Sequence, residues 1–132
     1  MPEHAVSLLA QSLGDLKGKK VAVLGISYRG GVKESAFSGV FGTVAALKSR
    51  GADVVVNDPM YNDEEIISLG FTTYAIGESV DAVILQADHK EYKGLSKKDF
   101  PGVQGVVDGR RAMSAKNFEG IAFRVIGAGE LS

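Results

Sequence analysis

The 132-residue chain has no cysteine. That excludes disulfides, thiolate metal sites and a cysteine nucleophile. It also removes any sign of a disulfide-stapled secreted protein, so the cytosol is the expected compartment. Histidine is scarce too, with only His4 and His89. No histidine–carboxylate cluster falls at ligand spacing, so no metal site is expected. Neither sign of charge dominates. The formal net charge is −1, and the whole-molecule field gives no case for nucleic-acid binding. Any anion site must be local. No apolar run approaches membrane-spanning length, so no membrane partner is expected. The opening Met1-Pro2-Glu3-His4 lacks the charged-then-apolar pattern of a signal peptide.

What the chain does have is glycine, 17 residues of it, and an ordinary balance of 45 % hydrophobic to 23 % charged residues. This length supports one core. Pro2 through Leu16 reads as a helix, with Ala5, Leu8, Leu9, Ser12, Leu13 and Leu16 on one face and Lys17-Gly18-Lys19-Lys20 as its stop. It either packs on the sheet or is the remnant of a longer helix with a dimer face, which would make a homodimer. Val21–Leu24, Val54–Val56 and Ala82–Leu85 are short unbroken apolar runs, as strands buried on both faces require. Phe71–Tyr74 reads as a weak edge strand, Val103–Val107 and Ile121–Ile126 as two more strands. Between them Glu34–Arg50 carries Phe37, Val40, Phe41, Val44 and Leu47 at helical spacing. Asp63–Ser68 and Ser114–Phe118 read as short helices, and Leu95–Phe100 as about one helical turn.

Strands alternating with helices predict an α/β fold. The expectation is a Rossmann-like three-layer sandwich with a mainly parallel sheet of 5–6 strands in the order 3-2-1-4-5-6, preceded by an N-terminal helix and flanked by helices on both faces. All strand C-termini then share one edge, where three loops carry chemistry: 26–35, 86–90 and 108–111. The first loop, Ile26-Ser27-Tyr28-Arg29-Gly30-Gly31-Val32-Lys33-Glu34-Ser35, lacks both GxGxxG and the lysine–threonine ending of a P-loop. Arg29, Lys33, the glycine-flanked backbone and the following helix start nevertheless favour an anion. Ser35 and Ser38 are placed to bond a phosphate or to cap the helix. Arg110 and Arg111 follow a strand two places from the first, roughly 10 Å away at strand spacing, a gap that a diphosphate and an arginine side chain bridge. Arginine suits phosphate through its planar, charge-assisted fork. Asp108 would hold a guanidinium or accept from a ribose hydroxyl. Asp58 sits where dinucleotide folds place the ribose-binding acid, but Pro59 after it favours a turn. His89 reads as a polar loop residue or one that supports a site from behind. No nucleophile–base–orienter set is visible.

From Gly25 to Ser38 the sequence resembles the C-terminal domain of the UDP-glucose/GDP-mannose dehydrogenase family, which usually shows Gly-x-x-Phe-Lys-Pro-x-Thr-x-Asp-x-Arg-Glu-Ser there. The two stretches align without a gap, with Tyr28 for the phenylalanine, Arg29 for the lysine and Ser38 for the serine. Val54–Pro59 resembles the family's Val-x-x-Tyr-Asp-Pro, Asp81–His89 its Asp-Ala-x-x-x-x-Thr-x-His, and Val107–Arg111 its Asp-Gly-Arg. Met1-Pro2 is similar to the Met-Pro that opens the second half of such enzymes.

This resemblance implies a domain that holds the UDP part of a nucleotide sugar for an enzyme oxidising the sugar C6 alcohol with NAD. Tyr28, Arg29 and Arg110 would contact the UDP-sugar, with Lys33, Asp108 and Arg111 as further candidates. It implies a linking-helix remnant over 1–18 and the UDP-sugar-binding domain over 19–132. The N-terminal NAD domain and the central domain with the catalytic cysteine would be partners outside this stretch, which would be inactive alone. Ala36 stands where the family usually has an arginine reaching NAD, and Phe37 replaces the following glutamate. NAD would then be held mainly elsewhere, and the branch acting on UDP-N-acetylhexosamines such as N-acetylmannosamine comes into view. Two other readings of the residues stay open: a free-standing Rossmann-like module for another nucleotide or CoA, and a non-catalytic oligomerisation domain.

Overall fold

In the computed structural model the described residues are 2–26, 40–110 and 113–126, with side chains described from Ala5 onward. Five strands form one parallel sheet: β1 (Lys20–Leu24), β2 (Asp53–Asn57), β3 (Ala82–Leu85), β4 (Gly105–Asp108) and β5 (Ala122–Val125). Their order is β2-β1-β3-β4-β5, and every neighbouring pair is parallel. This is the expected order, with the Phe71–Tyr74 strand reduced to a single parallel bridge between Thr73 and Val56 outside β2. Its backbone bonds to β2 are from Val56 N–H to the Thr72 carbonyl and from Tyr74 N–H to the Val56 carbonyl.

The central strands are apolar throughout because both their faces are covered. Along β1, Val21 and Val23 join one core, while Ala22 and Leu24 join the other. The first core is roofed by α1 (Pro2–Leu13), α2 (Val40–Ser49) and α3 (Asp63–Ser68). The second is roofed differently from expectation. No α-helix covers it among the described residues. Tyr92, Phe100 and Phe118 do so, each from or beside a short 3-10 turn, at Lys90–Tyr92, Lys97–Asp99 and Ala115–Phe118. Those segments are too short and polar for an α-helix that would stand alone, so large aromatic rings supply the buried area instead. Phe100 and Phe118 lie 6.3 Å apart, and Phe118 and Phe123 lie 5.4 Å apart.

Helix α1 stops earlier than its apolar pattern predicts. Gly14, at φ 79, ends it, and its N–H bonds back to the Ala10 carbonyl at 2.7 Å, a left-handed C-terminal cap. Leu16 is buried from the connecting segment instead. The apolar face of α1, Ala5, Leu8 and Leu9, is spent inside this chain's first core, which accounts for the pattern that suggested a dimer face. The Glu34–Arg50 helix is α2 from Val40 onward; its expected start at 34–39 lies outside the described residues.

Candidate functional site at the carboxyl edge of the sheet

β1 lies between β2 and β3 in the sheet. The chain therefore turns one way from β1 to reach β2 and the other way from β3 to reach β4. That reversal puts the usual ligand crevice of such folds beyond the ends of β1 and β3. Here protein fills its floor. Gly25 follows β1 at φ 109, and a Cβ added to it would lie 2.5 Å from the Ala87 Cβ and 2.7 Å from the Ala87 nitrogen. The N–H groups of Gln86 and Ala87 both donate to the Leu24 carbonyl. Gly25 thus serves the close approach of two loops.

Asp58 is buried just beyond β2. Its Oδ1 accepts the Met60 N–H at 2.7 Å, which closes the turn expected at Pro59. Its Oδ2 accepts the Ile26 N–H at 2.7 Å and faces His89 Nε2 at 3.0 Å. The structure therefore supports the turn at Asp58 and adds a cross-link to two other loops. With Gly25 packed on Ala87 and both Asp58 oxygens bonded to protein, the described residues do not fit a dinucleotide cradled at the ends of β1 and β2 in the usual way. His89 is fully buried, more deeply placed than a polar loop residue, with its ring edge on Tyr92 at 5.7 Å. Burial, then the nearby Asp58 and Glu91 charges, push the Tyr92 phenol up. Its hydroxyl bonds the Asn57 carbonyl and side-chain oxygens at 2.9 Å each.

The second loop of interest leaves β4 two places from β1. Asp108 is fully buried. Its Oδ1 accepts the Arg110 N–H at 3.0 Å and its Oδ2 the Met113 N–H at 2.8 Å. Gly109 lies so close to β3 that a Cβ would sit 2.7 Å from the Leu85 oxygen. Asp108 and Gly109 together shape a tight turn, and Arg110 emerges from it exposed. Tyr28, Arg29, Lys33, Ser35, Ala36, Phe37, Ser38 and Arg111 lie outside the described residues. Among the described residues no group of three histidine, aspartate or glutamate side chains is placed to hold a metal ion, and no helix is long and apolar enough to cross a membrane.

Two links at this edge were not read from the sequence. One is the Asp58–His89 pair, whose partners lie on loops from different strands. The other joins the start of α2 to the end of β3: the buried Thr43 hydroxyl donates to Gln86 Oε1 at 2.8 Å. The alternation of apolar runs and polar strand ends marks where such residues sit. Which of them meet depends on strand order.

The sequence model of the UDP-glucose/GDP-mannose dehydrogenase family, UDP binding domain, matches residues 22–115. A UDP-glucose 6-dehydrogenase, AglM, of Haloferax volcanii is 31 % identical over 121 residues, covering 87 % of this chain and 28 % of the relative. A UDP-N-acetyl-D-mannosamine dehydrogenase of Methanococcus aeolicus is 26 % identical over 122 residues, covering 89 % of this chain and 27 % of the relative. Among solved structures, a UDP-glucose dehydrogenase from Pyrobaculum islandicum superposes with a TM-score of 0.72 at 33 % identity, covering 93 % of this chain and 28 % of that one. The chain thus spans little more than a quarter of the length of the relatives it matches.

Proposed function

This chain belongs to the UDP-glucose/GDP-mannose dehydrogenase family, as its UDP-binding domain, and from that premise we propose that it holds the UDP moiety of a nucleotide sugar for an NAD-dependent 6-dehydrogenase. The observation that carries the reading is the turn after β4. A buried carboxylate and a glycine with no room for a side chain fix its backbone, and Arg110 stands exposed on it, two strands from the end of β1, the strand that Tyr28 and Arg29 follow in sequence. A diphosphate reaching across that roughly 10 Å gap would meet cations from both sides. In this reading Tyr28, Arg29 and Arg110 contact the UDP-sugar, and Lys33 and Arg111 add positive charge. Asp108 acts by shaping the turn that presents Arg110.

The domain's task is binding and orientation. Oxidation of the sugar C6 alcohol, the catalytic cysteine and the main contacts to NAD belong to other parts of the parent enzyme. Residues 1–18, helical over Pro2–Leu13, act as the linking segment between those parts and the UDP-binding domain over 19–132, and this chain by itself has no dehydrogenase activity.

The test is a titration of the chain with UDP, followed by calorimetry and by amide shift mapping. Shifts are expected at 26–35 and 108–111. Arg110→Ala is expected to lose about 1.5–3 kcal/mol of binding, as for a charge-assisted contact, and the loss should shrink as salt rises. Shifts confined to other regions, or unchanged affinity in the variant at low salt, would overturn the site.

A further inference from the structure

Two strand ends have no task in the UDP site described above: Asp58, beyond β2, and His89, beyond β3. The sheet order brings them together in an unusual place. β1 lies between β2 and β3, so the 3.0 Å contact between Asp58 Oδ2 and His89 Nε2 bridges across the end of β1. The same oxygen accepts the N–H of Ile26 at 2.7 Å, and Ile26 is the residue with which the chain enters the segment 27–39. One residue earlier, the Gly25 N–H is held by the Asn57 carbonyl at 2.7 Å, while Ala87 closes against Gly25 from the other side. Tyr92 braces the arrangement, with its ring against His89 and its hydroxyl on Asn57. The result is a buried polar collar around the exit of β1.

An ionised carboxylate only accepts, so the nitrogen that faces Asp58 Oδ2, Nε2, is the one that donates in this bond. Asp58 is 3 % exposed, and His89 and Ile26 are 0 % exposed. Neither polar side chain is therefore open to a ligand. A buried ionic or polar pair gains little stability over apolar packing of the same volume. What it adds is direction. A carboxylate held by an imidazole offers the Ile26 N–H an acceptor at one fixed point, whereas an apolar contact leaves the chain's exit angle loose.

We propose that Asp58 and His89 are positioning residues: their bond across the end of β1 fixes the backbone at Ile26, where the chain leaves the sheet, and through it the affinity of the UDP site. The second half of this statement rests on the UDP-binding reading; the first half does not.

The test uses nitrogen-15-labelled chain and three variants. His89→Gln keeps an N–H donor near the carboxylate, His89→Leu removes it, and Asp58→Asn replaces one acceptor oxygen with a donor. In the unaltered chain the Ile26 amide proton should resonate well downfield, as an N–H bonded to a carboxylate does. That resonance should move upfield in His89→Leu and Asp58→Asn and return most of the way in His89→Gln. UDP affinity should follow the same order, with a loss of about tenfold or more in His89→Leu and substantial recovery in His89→Gln. A merely structural role would lower thermal stability without tying affinity to the Ile26 resonance. An Ile26 resonance unmoved in a folded His89→Leu or Asp58→Asn chain would overturn the collar. A moved resonance with full UDP affinity would overturn its role in binding. If the unaltered chain ignores UDP, the binding reading fails, and the Ile26 resonance still decides the collar. Should His89→Leu not fold, His89→Gln and Asp58→Asn carry the same comparison.

Discussion

A methyl group at position 25 would have to share space with Ala87, whose Cβ and nitrogen lie 2.5 and 2.7 Å from where it would sit. The backbone there is also at φ 109, which side chains rarely adopt. Gly25→Ala is therefore expected to cost about 2–4 kcal/mol, combining backbone strain with overpacking; a denaturant midpoint shift at unchanged slope would measure it. The sequence shows a glycine at this point but not its reason. The structure supplies that reason, the contact to Ala87. Asp108 runs in parallel. Its place in Asp-Gly-Arg suggests a ribose or guanidinium partner; among the described residues the fold buries it and adds bonds from the Arg110 and Met113 N–H groups of its own turn. Such roles depend on what packs above a residue, which local sequence does not specify.

At the scale of elements, α3 follows its local signals most closely. Asn62 accepts the Glu65 N–H at 2.8 Å and Glu65 returns a bond to the Asn62 N–H at 3.0 Å. This reciprocal box, with three acids in the first turn, holds six residues that would not stay helical alone. Asn62→Ala should cost about 0.5–2 kcal/mol, read as a fall in thermal midpoint with faster amide exchange confined to 63–70. The central strands were equally plain, since burial on both faces leaves an unbroken apolar run. The layer over the second core was not. Its aromatics lie far apart in sequence, at Tyr92, Phe100 and Phe118, and no period joins them. The Phe71–Tyr74 segment has strand-like residues, but it follows the short crossover through α3 and meets β2 at one bridge only.

The whole molecule should weaken in alkali. Burial, followed by the charges of Glu78 and Asp99, pushes the Tyr74 phenol up from 10.0 to about 12, and its hydroxyl donates to the Glu78 carbonyl at 2.6 Å. Tyr92 is pushed up further. Unfolded, both phenols ionise near pH 10. Above that pH the unfolded chain has released protons that the folded chain still holds, so stability falls as pH rises through the interval from about 10 to about 12. Below pH 10 both states keep these protons and neither tyrosine contributes a slope. Urea midpoints compared at about pH 9 and about pH 11 should show the decline, and it should diminish in Tyr74→Phe.

The sequence by itself determined the class of fold, the strand order and the set of loops that leave the strands at the carboxyl edge. Burial on both sides of a parallel strand and the stop signals of helices are local patterns, and parallel connections admit few orders. Only the tertiary structure decided what the residues between those loops do. Asp58 and His89 lie 31 positions apart and meet because β1 is inserted between their strands. Gly25 touches Ala87 because the loops beyond β1 and β3 close on each other. Such contacts are set by the positions of whole strands, and no run of neighbouring residues encodes them.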